Sequence, residues 1–182
     1  MDLLTADTLP WLRQYQQRWR DALASGRPPH SVMIVSAPGL GAEHLAVWMA
    51  AFTLCERAID GPCRICASCV LLRADSHPDY HVVRLDDESK QIKVDQVREL
   101  IAKLALKSYR RGYKVGVIEG AEALNANGAN AFLKTLEEPA ADTLLVIVAR
   151  PSHRLPATVA SRCLRLALRV PPRSEALEWL RA

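Results

Sequence analysis

The stretch Val32-Met33-Ile34-Val35-Ser36-Ala37-Pro38-Gly39-Leu40-Gly41-Ala42-Glu43 decides the fold. Its apolar half reads as a strand, and the residues from Leu45 to Leu54 read as the helix that follows. Between them Gly39 and Gly41 occupy the last two glycine positions of a phosphate-binding loop, and Ser36 takes the place of the first. A working loop continues with Lys and then Ser or Thr, the ammonium meeting the β- and γ-phosphates and the hydroxyl meeting Mg²⁺. Here those two positions are Ala42 and Glu43. A methyl group supplies no positive charge. A carboxylate beside polyphosphate adds a repulsion of ~1–4 kcal/mol at 4 Å, depending on the effective dielectric. The frame is that of a nucleotide site, and the side chains argue against its chemistry.

Working outward, short β-rich runs recur at Tyr80–Leu85, Val115–Ile118, Leu144–Val148 and Leu164–Leu168, in addition to Val32–Val35. Helical patterns alternate with them. Trp11, Leu12, Tyr15, Trp19, Ala22 and Leu23 line one face of a first helix ending near Ser25-Gly26. Asp95–Leu106 carries Val97, Ile101 and Leu104 on one face, with Val94 just before it. Ala121–Glu138 carries Ala129, Phe132, Leu133 and Leu136, and Pro139 ends it. Strands alternating with helices predict a parallel sheet covered on both sides, and near-continuous apolar strands agree with burial on both faces.

The 182 residues suffice for one large domain with a real core. An apolar content of 49% with 24% charged is that of an ordinary soluble globular protein. No apolar run approaches the roughly 20 residues of a membrane span, and Met1-Asp2-Leu3-Leu4 opens no signal sequence. The expected location is the cytoplasm, with no membrane partner and no small-molecule substrate. A net charge of +4 is too mild to point to nucleic acid. After Arg169-Val170-Pro171-Pro172, Ser174 is expected to cap a helix from Glu175 to Arg181. The expected division is therefore one domain over residues 1–172, with residues 173–182 beginning a second.

Four of the five cysteines, Cys55, Cys63, Cys66 and Cys69, follow a C-x7-C-x2-C-x2-C spacing. Four thiolates at such spacing suit a tetrahedral Zn²⁺, closed and therefore structural. An iron–sulfur cluster and metal-free buried thiols are the alternatives. Cys55 falls at the end of one expected helix, and Cys66 and Cys69 at the start of the next. Cys163 stands apart as a small buried hydrophobe.

Three further segments carry a resemblance. Lys114-Val115-Gly116-Val117-Ile118-Glu119-Gly120 stands where AAA+ ATPases have the Walker B strand. Asn130-Ala131-Phe132-Leu133-Lys134-Thr135-Leu136-Glu137-Glu138-Pro139 and Ser161-Arg162-Cys163 are close to segments of bacterial clamp-loader subunits. With the cysteine knuckle and Ser76-His77-Pro78-Asp79-Tyr80, the likeness runs from about residue 9 to 172. The chain resembles the delta-prime subunits of DNA polymerase III clamp loaders, in their first AAA+ domain. The resemblance implies a P-loop-type three-layer α/β domain with a five-stranded parallel sheet, an inserted four-cysteine zinc knuckle and the start of a helical lid.

The departures from the family's ATPase members agree with the loop. Glu119 replaces the Walker B Asp, Gly120 the water-positioning Glu, and Ala149 the expected polar sensor. With Ala42 and Glu43, five contacts to phosphate, metal and water are altered together, so no ATP is expected at Gly39, Gly41, Ala42 and Glu43. Arg162 is retained. In the family this arginine reaches across an interface toward a neighbour's γ-phosphate, a task that suits an always-charged planar fork of donors. The resemblance thus implies a non-catalytic stator within a hetero-pentamer, with gamma/tau and delta as partners and the sliding clamp and primed DNA contacted indirectly. Rival readings are an active gamma/tau-like ATPase with an atypical loop and a zinc-dependent DNA-binding module.

The remaining polar residues read more plainly. His30 and His77 are assigned to turns or packing. Glu137 and Glu138 close a helix before Pro139 with no nucleophile in view. Arg110-Arg111-Gly112 reads as a solvated turn rather than a phosphate contact.

Overall fold

The structure, a computed structural model, describes residues 9–85, 89, 91–110, 112–151 and 155–181. Residues 1–8, the first part of the expected domain, lie outside the described residues, as does Arg111. Among the described residues there are five strands: β1 (Ser31–Val35), β2 (Tyr80–Val83), β3 (Lys114–Ile118), β4 (Thr143–Ala149) and β5 (Leu164–Ala167). All neighbouring pairs are parallel, in the order β2-β3-β4-β1-β5. Every chain crossover therefore returns from the carboxyl edge of the sheet to its amino edge.

Helices α1 (Arg13–Ala24), α2 (Ala42–Leu54), α3 (Ala67–Arg73), α4 (Val94–Ala105), α5 (Ala126–Ala131), α6 (Leu133–Glu137), α7 (Ala157–Ala160) and α8 (Arg173–Arg181) make the crossovers and flanks. Two apolar clusters form, one on each face of the sheet. The first joins Trp19, Trp48 and Met49 to Val32, Ile34 and Val146; the second joins Leu100, Leu104 and Phe132 to Ile118, Leu145 and Ile147. Each such side chain contributes about 1.5–3 kcal/mol on full burial. Helix α2 is apolar nearly all round, with Leu45, Ala46, Trp48, Met49, Ala50 and Ala51 almost wholly buried, as expected for a helix enclosed by its neighbours. Gly116 lets α4 approach β3 closely, since a Cβ there would lie 2.9 Å from Leu104 Cδ1. Lys114 at the start of β3 is buried and donates from Nζ to Leu104 O and Leu106 O, each at 2.7 Å, closing the C-terminal end of α4.

The strand and helix expectations hold with four corrections. The near-continuous burial extends to β1, β3 and β4 only; β2 and β5 are edge strands and partly exposed. Strand β2 ends at Val83, two residues before its expected end. The expected helix Ala121–Glu138 is broken into a 3₁₀ turn (Ala121–Ala123), α5 and α6. Leu124 is extended and bridges to Ile92, and the Asn125 side chain accepts from Gly128 N–H at 2.8 Å, restarting the helix. Finally, α8 begins at Arg173, with Ser174 inside it, because Ala176 N–H already bonds to Pro172 O.

Candidate functional site: a glycine-rich loop, a thiol cluster and an edge arginine

The glycine-rich loop leaves β1 at the carboxyl edge. Gly39 and Gly41 adopt φ of +81° and +85°, the left-handed region that glycine enters without strain. Several polar groups of this loop are bonded within the chain. Ser36 N–H donates to Ala149 O at 3.0 Å, and the Ser36 hydroxyl to Ala37 O at 2.8 Å. Trp11 Nε1 donates to Leu40 O at 2.9 Å. Leu9 and Leu12 press against Gly41, where any Cβ would collide with the Leu9 side chain. Apolar residues from the segment before α1 thus cover the loop. Ala42 is buried at the start of α2, and Glu43 stands exposed in its first turn, where a carboxylate complements the helix dipole.

At the end of β3, Glu119 is engaged by Arg84, with Nε to Oε2 at 2.8 Å and Nη2 to Oε1 at 3.4 Å. Gly120 has φ of +72° and opens the 3₁₀ turn, so a carboxylate-bearing residue there would meet backbone strain. Ala149 is buried at the end of β4. The sequence positions of lysine, hydroxyl, carboxylates and sensor do converge on one edge, where Glu43 and Glu119 are the charged residues of the five and Glu119 is paired with Arg84.

The thiols gather at the other edge, where α2 ends. Cys55 is the residue after α2 and Cys66 the N-cap of α3. The sulfurs of Cys55, Cys63, Cys66 and Cys69 all lie within 4.8 Å of one another, with Cys55 and Cys66 3.9 Å apart. A tetrahedron with metal–sulfur bonds of about 2.3 Å has sulfur–sulfur edges of roughly 3.8 Å, so the cluster can hold a metal ion. Backbone amides already point at the sulfurs: Cys63 N–H at Cys55 Sγ (3.2 Å), Cys66 N–H at Cys63 Sγ (3.3 Å) and Cys69 N–H at Cys66 Sγ (3.4 Å). Amides from Ile65 and Cys66 pull the Cys63 thiol down to about 6. Burial pushes Cys55 and Cys69 up, so a thiolate at either position calls for a nearby cation. Glu56 ties the knuckle to the sheet. It accepts from Ser68 N–H and Oγ–H and pairs with Arg110 at 2.7 Å.

Arg162 lies at the amino edge, between α7 and β5. Its own loop lies beyond the far end of β1, whose five residues at about 3.3 Å rise put more than ~13 Å of strand between them. The guanidinium is part-exposed, at 36%, and does not turn back across the sheet. Nη1 donates to Thr158 O at 2.8 Å, and Nη2 pairs with Glu137 Oε1 at 2.7 Å.

A sequence family described as DNA polymerase III, delta subunit, matches residues 11–172. The chain is 40% identical over 176 residues to the DNA polymerase III subunit delta' of Pseudomonas aeruginosa, covering 96% of this chain and 53% of that protein. It is 36% identical over 172 residues to the subunit of the same name from Escherichia coli, covering 94% and 52%. The chain belongs to the DNA polymerase III delta-prime family. It spans about half the length of the curated relatives it matches. Its fold is shared with a gamma subunit-related protein of Thermotoga maritima, at a TM-score of 0.60 and 20% identity, covering 92% of this chain and 49% of that one. RuvB of the same organism superimposes at 0.53 and 16% identity, covering 93% and 48%. The fold is the AAA+ α/β fold of clamp-loader-like proteins.

In this delta-prime chain the structure also shows what the sequence conceals. Glu137 is not idle; it is the partner of Arg162, twenty-five positions away in the turn between α7 and β5. His30 is held at the entry to β1, where Nε2 donates to Leu136 O at 3.0 Å. Asp79 accepts from Tyr109 N–H, Arg110 N–H and the Ser108 hydroxyl, which makes the Arg110 turn a structural anchor. His77 is buried, its Nδ1 accepting from Asp79 N–H at 3.1 Å. Cys163 is half-buried rather than buried. Of these contacts only the packing role of the two histidines has a signal in the sequence.

Proposed function

We propose that this chain is the AAA+ portion of a non-catalytic clamp-loader subunit, a stator that supplies Arg162 to the ATP site of an adjoining gamma/tau subunit. The full assembly is a cytoplasmic hetero-pentamer with gamma/tau and delta, which places the sliding clamp on primed DNA without direct DNA contact by this domain. One observation carries the reading. A guanidinium stands part-exposed at the amino edge, separated by the length of the sheet from a loop that lacks every charged phosphate ligand. Such an arginine has no phosphate of its own chain to serve. An active ATPase reading is disfavoured by Leu9, Trp11 and Leu12 over the loop and by the Arg84–Glu119 pair.

The metal we propose for Cys55, Cys63, Cys66 and Cys69 is a structural Zn²⁺, because four thiolates close the tetrahedron. Residues 173–182 begin a helical lid domain in this reading.

The test is single-turnover hydrolysis in a loader reconstituted with full-length subunits. Arg162→Ala should leave assembly and metal content unchanged while slowing one gamma/tau site on the order of 10³–10⁵-fold, the contribution of arginine fingers in GTPases. Arg162→Lys should recover only part, since an ammonium keeps the charge and loses the fork. Unchanged hydrolysis at every site with Arg162→Ala overturns the trans-acting role.

A further inference from the structure

We propose that Glu137 is the positioning residue for Arg162, holding the guanidinium in one orientation at the amino edge so that its remaining donors meet a phosphate group on a second chain. The inference rests on the trans-acting reading of Arg162 and goes beyond it.

Arg162 has a long side chain, and a free one would sample many rotamers before engaging a phosphate. Here it is gripped at two points. Glu137 Oε1 receives Nη2 at 2.7 Å and the Thr158 carbonyl receives Nη1 at 2.8 Å. Among the described residues, Nε–H and the second Nη2–H have no hydrogen-bond partner, and these are the donors left for a phosphate oxygen.

Both members of the ion pair are themselves pinned, and by adjacent residues at the start of β1. The Ser31 hydroxyl donates to Arg162 O at 2.7 Å, while His30 Nε2 donates to Leu136 O, the carbonyl beside Glu137, at 3.0 Å. One dipeptide therefore fixes the backbones of both members of the ion pair. The side chains of the pair are 36% and 51% exposed, and pairs so exposed contribute little to stability. A contact of small energetic value held by two separate backbone anchors is explained by orientation, because a misplacement of about 1 Å in a reacting group can lower a rate ~10²-fold. The carboxylate also stands where it can restrain the guanidinium before any partner is present.

The experiment uses full-length variants in the reconstituted loader and reads single-turnover hydrolysis at the adjoining gamma/tau site together with its KM for ATP. Glu137→Ala should lower kcat there ~10–10²-fold with KM unchanged, since the finger acts on charge that develops in the transition state. Glu137→Gln keeps an oxygen acceptor and should restore the rate to within about 3-fold of wild type. In an Arg162→Ala background, Glu137→Ala should cost nothing further, the non-additivity expected of two residues acting as one unit. His30→Ala, which loosens the end of α6 while sparing the carboxylate, should give a smaller loss of the same kind.

A wild-type rate for Glu137→Ala beside a defective Arg162→Ala overturns this inference and leaves the finger intact. A wild-type rate for Arg162→Ala overturns the finger itself. A further loss on adding Glu137→Ala to Arg162→Ala assigns Glu137 a separate structural role and also overturns the inference.

Discussion

The two edges of one sheet have taken opposite courses. At the carboxyl edge the positions of an AAA+ loop's lysine, carboxylate and sensor hold Ala42, Gly120 and Ala149 beside the Trp11 cover, and the charges that stand there, Arg84 with Glu119 and Arg150 with Glu122, are paired with each other. At the amino edge it retains dense polar organisation: the thiol cluster, the Glu56–Arg110 pair, the Asp79 anchor and the Arg162–Glu137 pair. The contrast teaches that the frame of a glycine-rich loop can stand while its lysine and hydroxyl positions hold Ala42 and Glu43. The β1-loop-α2 geometry survives because it serves the core: α2 buries most of its surface whether or not a phosphate sits at its start. What selection of side chains can alter freely is the small set that touches ligand.

If the edges are as independent as this, metal removal should divide them. Zinc-finger peptides bind Zn²⁺ with roughly 10–16 kcal/mol, so chelation should release residues 55–72 at the amino edge while β1, β3 and β4 stay protected. Hydrogen exchange with and without chelator checks this; uniform loss of protection would show that the knuckle supports the whole sheet. A second break is Trp11→Ala. Large aromatic truncations in a core cost ~3–5 kcal/mol, and Trp11 is only 8% exposed. Urea unfolding should register that loss, and calorimetric titration with Mg-ATP should still show no stoichiometric low-micromolar site, because removing the cover restores no ligand. Gly116→Ala should cost ~1–3 kcal/mol in the same unfolding assay, the penalty for overpacking α4 against β3.

A pH titration sharpens the amino edge. Burial holds the His77 pKa below its ordinary 6.5, so the folded chain binds fewer protons than the unfolded one as pH falls. The stabilisation is present above 6.5 and is lost as pH drops through the lowered folded value. His77→Gln should flatten the stability slope between pH 7 and 5 in unfolding curves. The smallest effect belongs to the carboxyl edge: Glu43→Gln should remove ~0.3–1 kcal/mol of dipole complementarity, visible as a slight fall in the urea midpoint.

The strands were legible because β1, β3 and β4 are continuous apolar runs, and the cysteine spacing alone brought four sulfurs together. Pattern reading failed where a local competitor intervened. Asn125 caps its own turn and interrupts an otherwise helical stretch, and Pro172 supplies the carbonyl that starts α8 two residues early. Edge exposure of β2 and β5 follows from strand order, which no local pattern encodes. The Glu137–Arg162 pair is invisible for the same reason: it exists only because the α6 and α7 ends meet beside β1.

Trp11 does more than cover a loop. Its indole nitrogen bonds to Leu40 O, and its ring meets Trp179 of α8 edge-on at 5.4 Å and 76°. A single side chain thereby spans from the glycine-rich turn to the last helix. The angle at which α8 leaves the domain is thereby tied to the glycine-rich turn through one indole ring.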